Sequence, residues 1–249
     1  MNFVLPHQVV MKLNLNNWSS RLLYLLLATD ILFIALHIIY KTTELTSNSS
    51  FSLEMDRGYP EIFQYIKEYW IALLFLFLAL RKQVLIYGVW SLLFLYLLLD
   101  DYLQIHEIGG EMISEKLNFP AILNLRAVDL GELLVSMSVS LFFLVLISIT
   151  YRFSNSMARQ VSKYIIALLF LLAFFGIITD MVHIMTESLS IELLNDFMGL
   201  VEDGGEHLVM TLIAWFVFLL FDSPSDNPIS KLKFPGVLKF PNTNVRSPF

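Results

Sequence analysis

The chain has 249 residues, 57% hydrophobic and only 15% charged, with no cysteine. An average soluble domain is about half apolar and about a quarter charged, so this composition argues against a soluble globular enzyme. It also argues against a disordered chain, and the missing thiols remove disulfide scaffolds and cysteine-based zinc sites. A net charge of −6 leaves no basic face for nucleic acid. What remains is an all-α, polytopic membrane helical bundle in contact with the lipid bilayer.

A bilayer core of about 30 Å takes about 20 apolar residues in helix. Six stretches meet or approach that length. The first runs from Arg21 to Tyr40, and the second from Pro60 to Leu80 with Lys67 and Glu68 interrupting it. Pro60 followed by Glu61 reads as a helix start, since proline suits the first turn and an acid suits the N-terminal dipole. The third stretch is Gln83 to Ile105, the fourth Gly131 to Tyr151, the fifth Lys163 to Met185 and the sixth Glu206 to Phe221. Two connections, Glu111 to Asn118 and Ser190 to Leu200, read as short interfacial helices, and Gly204-Gly205 as a turn into the sixth span. Residues 1–221 form one bundle domain. The stretch 222–249 holds five of the eight prolines and reads as a Pro-rich basic cytoplasmic tail, lying on lipid or on a membrane-protein partner.

Sorting the Lys and Arg residues by side places eleven on the side of the N-terminus and five on the other. The positive-inside rule then makes the first side cytoplasmic, with both termini inside. The acids divide the other way, 19 of the 22 falling on the outer side.

Ionisable residues inside a membrane mark functional sites. At 1.5 Å per residue, His37, Asp100, Asp180 and Glu206 lie about 24–27 Å from the cytoplasmic-side charge on their own helices. They therefore share one layer near the outer boundary. Helical spacing adds neighbours: Asp180 with His183 at i, i+3; Glu202 with Glu206 and Asp203 with His207 at i, i+4; Asp100 with Gln104 and Glu107; and Asp30 two turns deeper than His37. Carboxylates beside imidazoles across a bundle are the ingredients of a divalent metal site, and Asp180-x-x-His183 has the spacing used in diiron and dimanganese bundles. The expected ligands are His37, Asp180, His183, Glu206 and His207, holding zinc, iron or manganese. Asp100, Glu107 and Glu202 are the expected catalytic acid–base groups. The substrate would be a lipid or another apolar compound. Cation or proton transport, with Asp30 at mid-depth below an acidic vestibule, is the alternative, and a non-catalytic subunit of a membrane complex is a third reading.

Asp100-Asp101-x4-His106-Glu107 and Glu202-Asp203-x2-Glu206 resemble paired motifs of uncharacterised bacterial multi-pass membrane proteins. The resemblance implies a protein of the bacterial inner membrane and no particular reaction.

Overall fold

The computed structural model describes residues 18–117, 126–187 and 191–222. It contains eight α-helices among the described residues: α1 (Trp18–Thr42), α2 (Tyr59–Lys82), α3 (Leu85–Leu103), α4 (Ile105–Leu117), α5 (Ala127–Arg152), α6 (Ser156–Ala173), α7 (Asp180–Glu187) and α8 (Glu192–Asp222). A π-helical segment, Phe174–Thr179, joins α6 to α7 without a break. Six spans are long and apolar enough to cross a membrane: Ser20–Thr42, Tyr59–Lys82, Leu85–Leu103, Ala127–Arg152, Ser156–Thr186 and Leu193–Asp222. The chain is an integral, multi-pass membrane protein. The basic tail expected over 222–249 lies, beyond Asp222, outside the described residues.

Five of the six expected spans recur with extended ends, and the largest change is at the sixth. Gly204-Gly205 do not form a turn, and the described part of the stretch expected as an interfacial helix over Ser190 to Leu200 is not a separate helix. From Glu192 onward the chain is one helix, α8. Glu202, Asp203, Glu206 and His207 therefore stand on a continuous membrane helix rather than on an outer loop. The third span is shorter than expected. It stops at Leu103 because Gln104 adopts a left-handed conformation (φ 53°) and caps α3 through its N–H to the Asp100 carbonyl. The interfacial helix expected over Glu111–Asn118 starts earlier, as α4 at Ile105.

α2 starts as its sequence predicts. Pro60 occupies the first turn, and the Glu61 carboxylate accepts the Arg57 N–H. α2 and α3 form a tight hairpin whose connection relies on Gln83, also left-handed (φ 54°). Their interface is aromatic: Phe75 stacks on Tyr87 and Phe94 and lies beside Trp90. Trp90 donates its indole N–H to Ser162 Oγ on α6 at 3.0 Å, and Ser91 Oγ bonds the Ala72 carbonyl at 2.8 Å. These bonds tie helices together where lipid gives little hydrophobic drive for association. α8 packs between α1, α2 and α6, while α5 packs on α3 and α4. α4 and α5 approach closely because Gly110 and Gly131 meet backbone to backbone, leaving no room for a Cβ on either. Most of α5 is outside the core, with Leu134, Met137, Leu141, Phe142, Leu144 and Val145 exposed, as suits a lipid-facing helix.

Candidate functional site

Asp30 lies mid-way along α1, in an apolar run, and Lys67 lies in the first half of α2, directly before Glu68. Lys67 Nζ meets Asp30 Oδ1 at 3.0 Å, and both side chains have 0% exposure. The pair is fully solvated by protein. Lys67 also donates to the His207 carbonyl at 2.8 Å and to Thr211 Oγ1 at 3.3 Å, and Thr211 donates to Asp30 Oδ2 at 2.6 Å. His207 Nδ1 lies 3.4 Å from Lys67 Nζ and 3.9 Å from Asp30 Oδ1. His207 and Thr211 are one turn apart on α8, so a single helix face supplies both. Lys67 is the only buried Lys or Arg among the described residues.

One residue on along α2, Glu68 is 1% exposed. Neither of its carboxylate oxygens has a donor, and the same holds for Gln64 Oε1 one turn earlier. Glu68 sets its carboxyl within hydrogen-bonding reach of Asp101 on α3, with Glu206 on α8 close by. Gln64 Nε2 reaches Glu206 Oε2 at 3.4 Å. The π-helical segment makes room for Glu206. A Cβ on Gly176 would collide with its carboxylate, and a Cβ on Gly205 would collide with the Phe175 ring.

A third group lies toward the α7–α8 connection. His183 Nδ1 is 2.8 Å from Glu202 Oε2, and its Nε2 is 3.0 Å from Asn195 Oδ1. Asp180 is in hydrogen-bonding contact with Glu202, so Asp180, His183 and Glu202 do come together. Glu206 stands one turn further along α8, toward Gln64 and Glu68. His207 is committed to the Lys67 network.

The remaining predicted residues are held elsewhere. His37 is 2% exposed, and its Nδ1 accepts the Leu53 N–H at 3.0 Å. That bond leaves the neutral ring's proton on Nε2, which faces Glu54 Oε1 at 4.0 Å. His37 thus anchors the loop after α1, and Lys41 closes it with Glu54 at 2.8 Å and Asp196 at 3.0 Å. Asp100 turns to the α3–α4 break, where it accepts the His106 backbone N–H at 2.9 Å and meets His106 Nδ1 at 3.1 Å. The carboxylate bond to Asp100 raises the His106 imidazole above its ordinary value, against the opposing effect of burial. Glu107 accepts from Gln104 Nε2 at 3.2 Å.

The expected ligands therefore divide among separate hydrogen-bonded groups. Among the described residues, no three His, Asp or Glu side chains are placed to hold a metal ion together. The sequence reading missed Lys67 and Glu68, treating them as interruptions of a span, and passed over Gln64 and Thr211. A signal for Lys67 existed. An intramembrane lysine needs a counter-charge. Measured from Arg21 and Arg81, Asp30 and Lys67 differ in depth by about 7 Å, a gap that a long lysine stem bridges.

Fold and site together define a multi-pass membrane bundle with a charged network buried between α1, α2, α3 and α8. Residues 25–221 match the family described as Domain of unknown function (DUF8692), and the chain belongs to that family. No curated protein and no solved structure matches it.

Proposed function

We propose that this protein handles cations in the membrane, as a transporter-type bundle, with protons or small cations reaching the network from the acidic end. The observation that carries this reading is the Asp30–Lys67 pair, fully buried at 3.0 Å. A buried ion pair is no more stabilising than well-packed apolar residues, so stability alone gives little reason to keep one in a membrane core. Intramembrane ionisable pairs mark ion and proton pathways. Here Glu202, Asp203 and Glu206 lead along α8 from the acidic end toward His207 and Thr211. A proton reaching Asp30 would neutralise it and release Lys67 from its partner. On the other side of the pair, Leu26, Ile71, Phe75 and Phe94 form an apolar core, so passage requires a rearrangement that opens this second half. The Lys and Arg asymmetry supports an outward-facing acidic end with both termini cytoplasmic. The paired motifs support the bacterial inner membrane.

Reconstitution into liposomes with an internal pH- or cation-sensitive dye tests the reading. Wild type is expected to pass cations and Asp30→Asn to lose most of that flux. Equal flux from both proteins rejects it.

A metal-dependent membrane enzyme acting on a lipid or apolar substrate is the second reading, favoured by the mutual contact of Asp180, His183 and Glu202. Their side chains now bond one another rather than a common point, so zinc, iron or manganese would have to draw them together. Metal analysis of the purified protein decides: bound metal that His183→Ala removes supports an enzyme, and metal-free protein with full cation flux rejects it.

A further inference from the structure

Glu68 presents a problem of charge balance. Its carboxylate is almost wholly buried, both oxygens lack a donor, and the Gln64 carbonyl oxygen beside it is equally unpartnered. Three buried acceptors, one turn apart on the same side of α2, thus have no hydrogen-bond donor among the described residues. A buried acceptor without a donor is rare and costly. The nearest cation, Lys67, is engaged by Asp30, the His207 carbonyl and Thr211.

Every other charged or titratable neighbour adds acid or lies beyond one. From α3, Asp101 faces Glu68 directly, with Asp100 behind it and His106 of α4 beyond. From α8 come Glu206 and, next to it, Asp203. α2 itself contributes Glu61 near Asp101, and Tyr65, whose hydroxyl bonds the Asp101 carbonyl. α1 contributes only Asp30, through Lys67.

We infer that Glu68 and Asp101 form a proton-binding site, one proton bridging the two carboxyl groups and making the pair a monoanion. The proton comes from water at the acidic end, where Asp101 is half-buried while Glu68 is not reached by solvent. Bridging supplies a donor hydrogen to one of the two Glu68 oxygens. It also relieves two like charges in contact, which cannot both ionise in such a place. Gln64, holding Glu206 through its Nε2, keeps the third carboxylate at the edge of the pair. A proton suits the site better than a metal cation, because the two carboxyl groups already stand at hydrogen-bonding separation. The site names the transported species for the cation-handling reading and rests on that reading only for its role in transport.

Infrared difference spectroscopy of the full-length protein in lipid nanodiscs tests the site without reference to flux. At neutral pH, wild type is expected to show a protonated-carboxyl C=O band. Glu68→Gln, isosteric with the protonated acid, is expected to lose a band area equal to one carboxyl while keeping the helical amide band. Asp101→Asn replaces the hydrogen-bond partner and is expected to shift the band. Unchanged bands in both variants overturn the inference, and so does a wild-type band that vanishes on adding sodium chloride at constant pH, which assigns the site to a metal cation. A band that behaves as expected in a protein without flux leaves the proton site standing and removes the transport reading. Flux without the band removes the site alone.

Discussion

At the scale of single residues, Lys67 is the most consequential side chain. It satisfies Asp30 and has two further acceptors of its own on α8. Removing one partner of a buried ion pair leaves an uncompensated charge, so Lys67→Met is expected to lower stability by about 3–5 kcal/mol. Adding Asp30→Asn should recover a large part of that loss, since both charges are then gone. Thermal unfolding of wild type and the two variants in one detergent measures this; a double variant no more stable than Lys67→Met would mean that the pair is not the source. His106 makes a different prediction. Its imidazole is raised by the bond to Asp100, so the bond contributes stability below the ordinary histidine value and loses it as pH rises through the raised value. The α3–α4 junction should therefore open as pH increases across that window. Amide exchange at residues 104–107 is expected to speed up on the alkaline side in wild type and to lose its pH step in Asp100→Asn. Neither pairing was fully legible in the sequence: Asp100 and His106 flank the helix break that the left-handed Gln104 creates, and only that break lets Asp100 reach the His106 backbone.

At the scale of elements, the informative contact is between the π-helical segment and α8. An α-helical run of 31 residues from Ser156 to Thr186 holds its continuity through a π segment, and such segments frequently occur at functional sites. Here it brings Phe174–Thr179 against Gly205 and Glu206. Gly205→Ala is expected to push α8 away from Phe175, costing about 1–3 kcal/mol as an overpacked contact. Gly204→Ala, where a Cβ meets only Ile34 side-chain atoms at ordinary contact distance, should be nearly neutral. Comparing the melting temperatures of the two single variants checks the assignment, and equal losses would contradict it. Sequence periodicity located α6, α7 and α8 as apolar segments, but it read Gly204-Gly205 as a turn. Adjacent glycines carry the same local signal whether the chain bends or a neighbouring ring needs the space, and only the packing of Phe175 separates the two.

At the scale of the whole molecule, six spans require the connections at residues 43–58 and 153–155 to lie on opposite faces of the membrane. The cysteine-free chain makes this directly measurable. Ser47→Cys and Asn155→Cys are both at exposed positions, and an impermeant thiol reagent applied to sealed vesicles is expected to label one and spare the other. Labelling of both from the same face would overturn the six-span topology. Composition and the length of the apolar runs determined by themselves that this is a helical membrane bundle, because backbone polar groups in lipid must be satisfied within helices and about 20 apolar residues set the span. The same arithmetic placed an acidic, histidine-bearing layer near one end. Partner choice was decided only by the tertiary structure. Depth along a helix follows from counting residues, whereas which faces meet depends on how the helices rotate and pack against one another. That packing sent His37 to the loop, His207 to Lys67 and Asp100 to His106, and it brought Glu68, which the sequence presented as a flaw in a span, against Asp101 and Glu206 at the centre of the network.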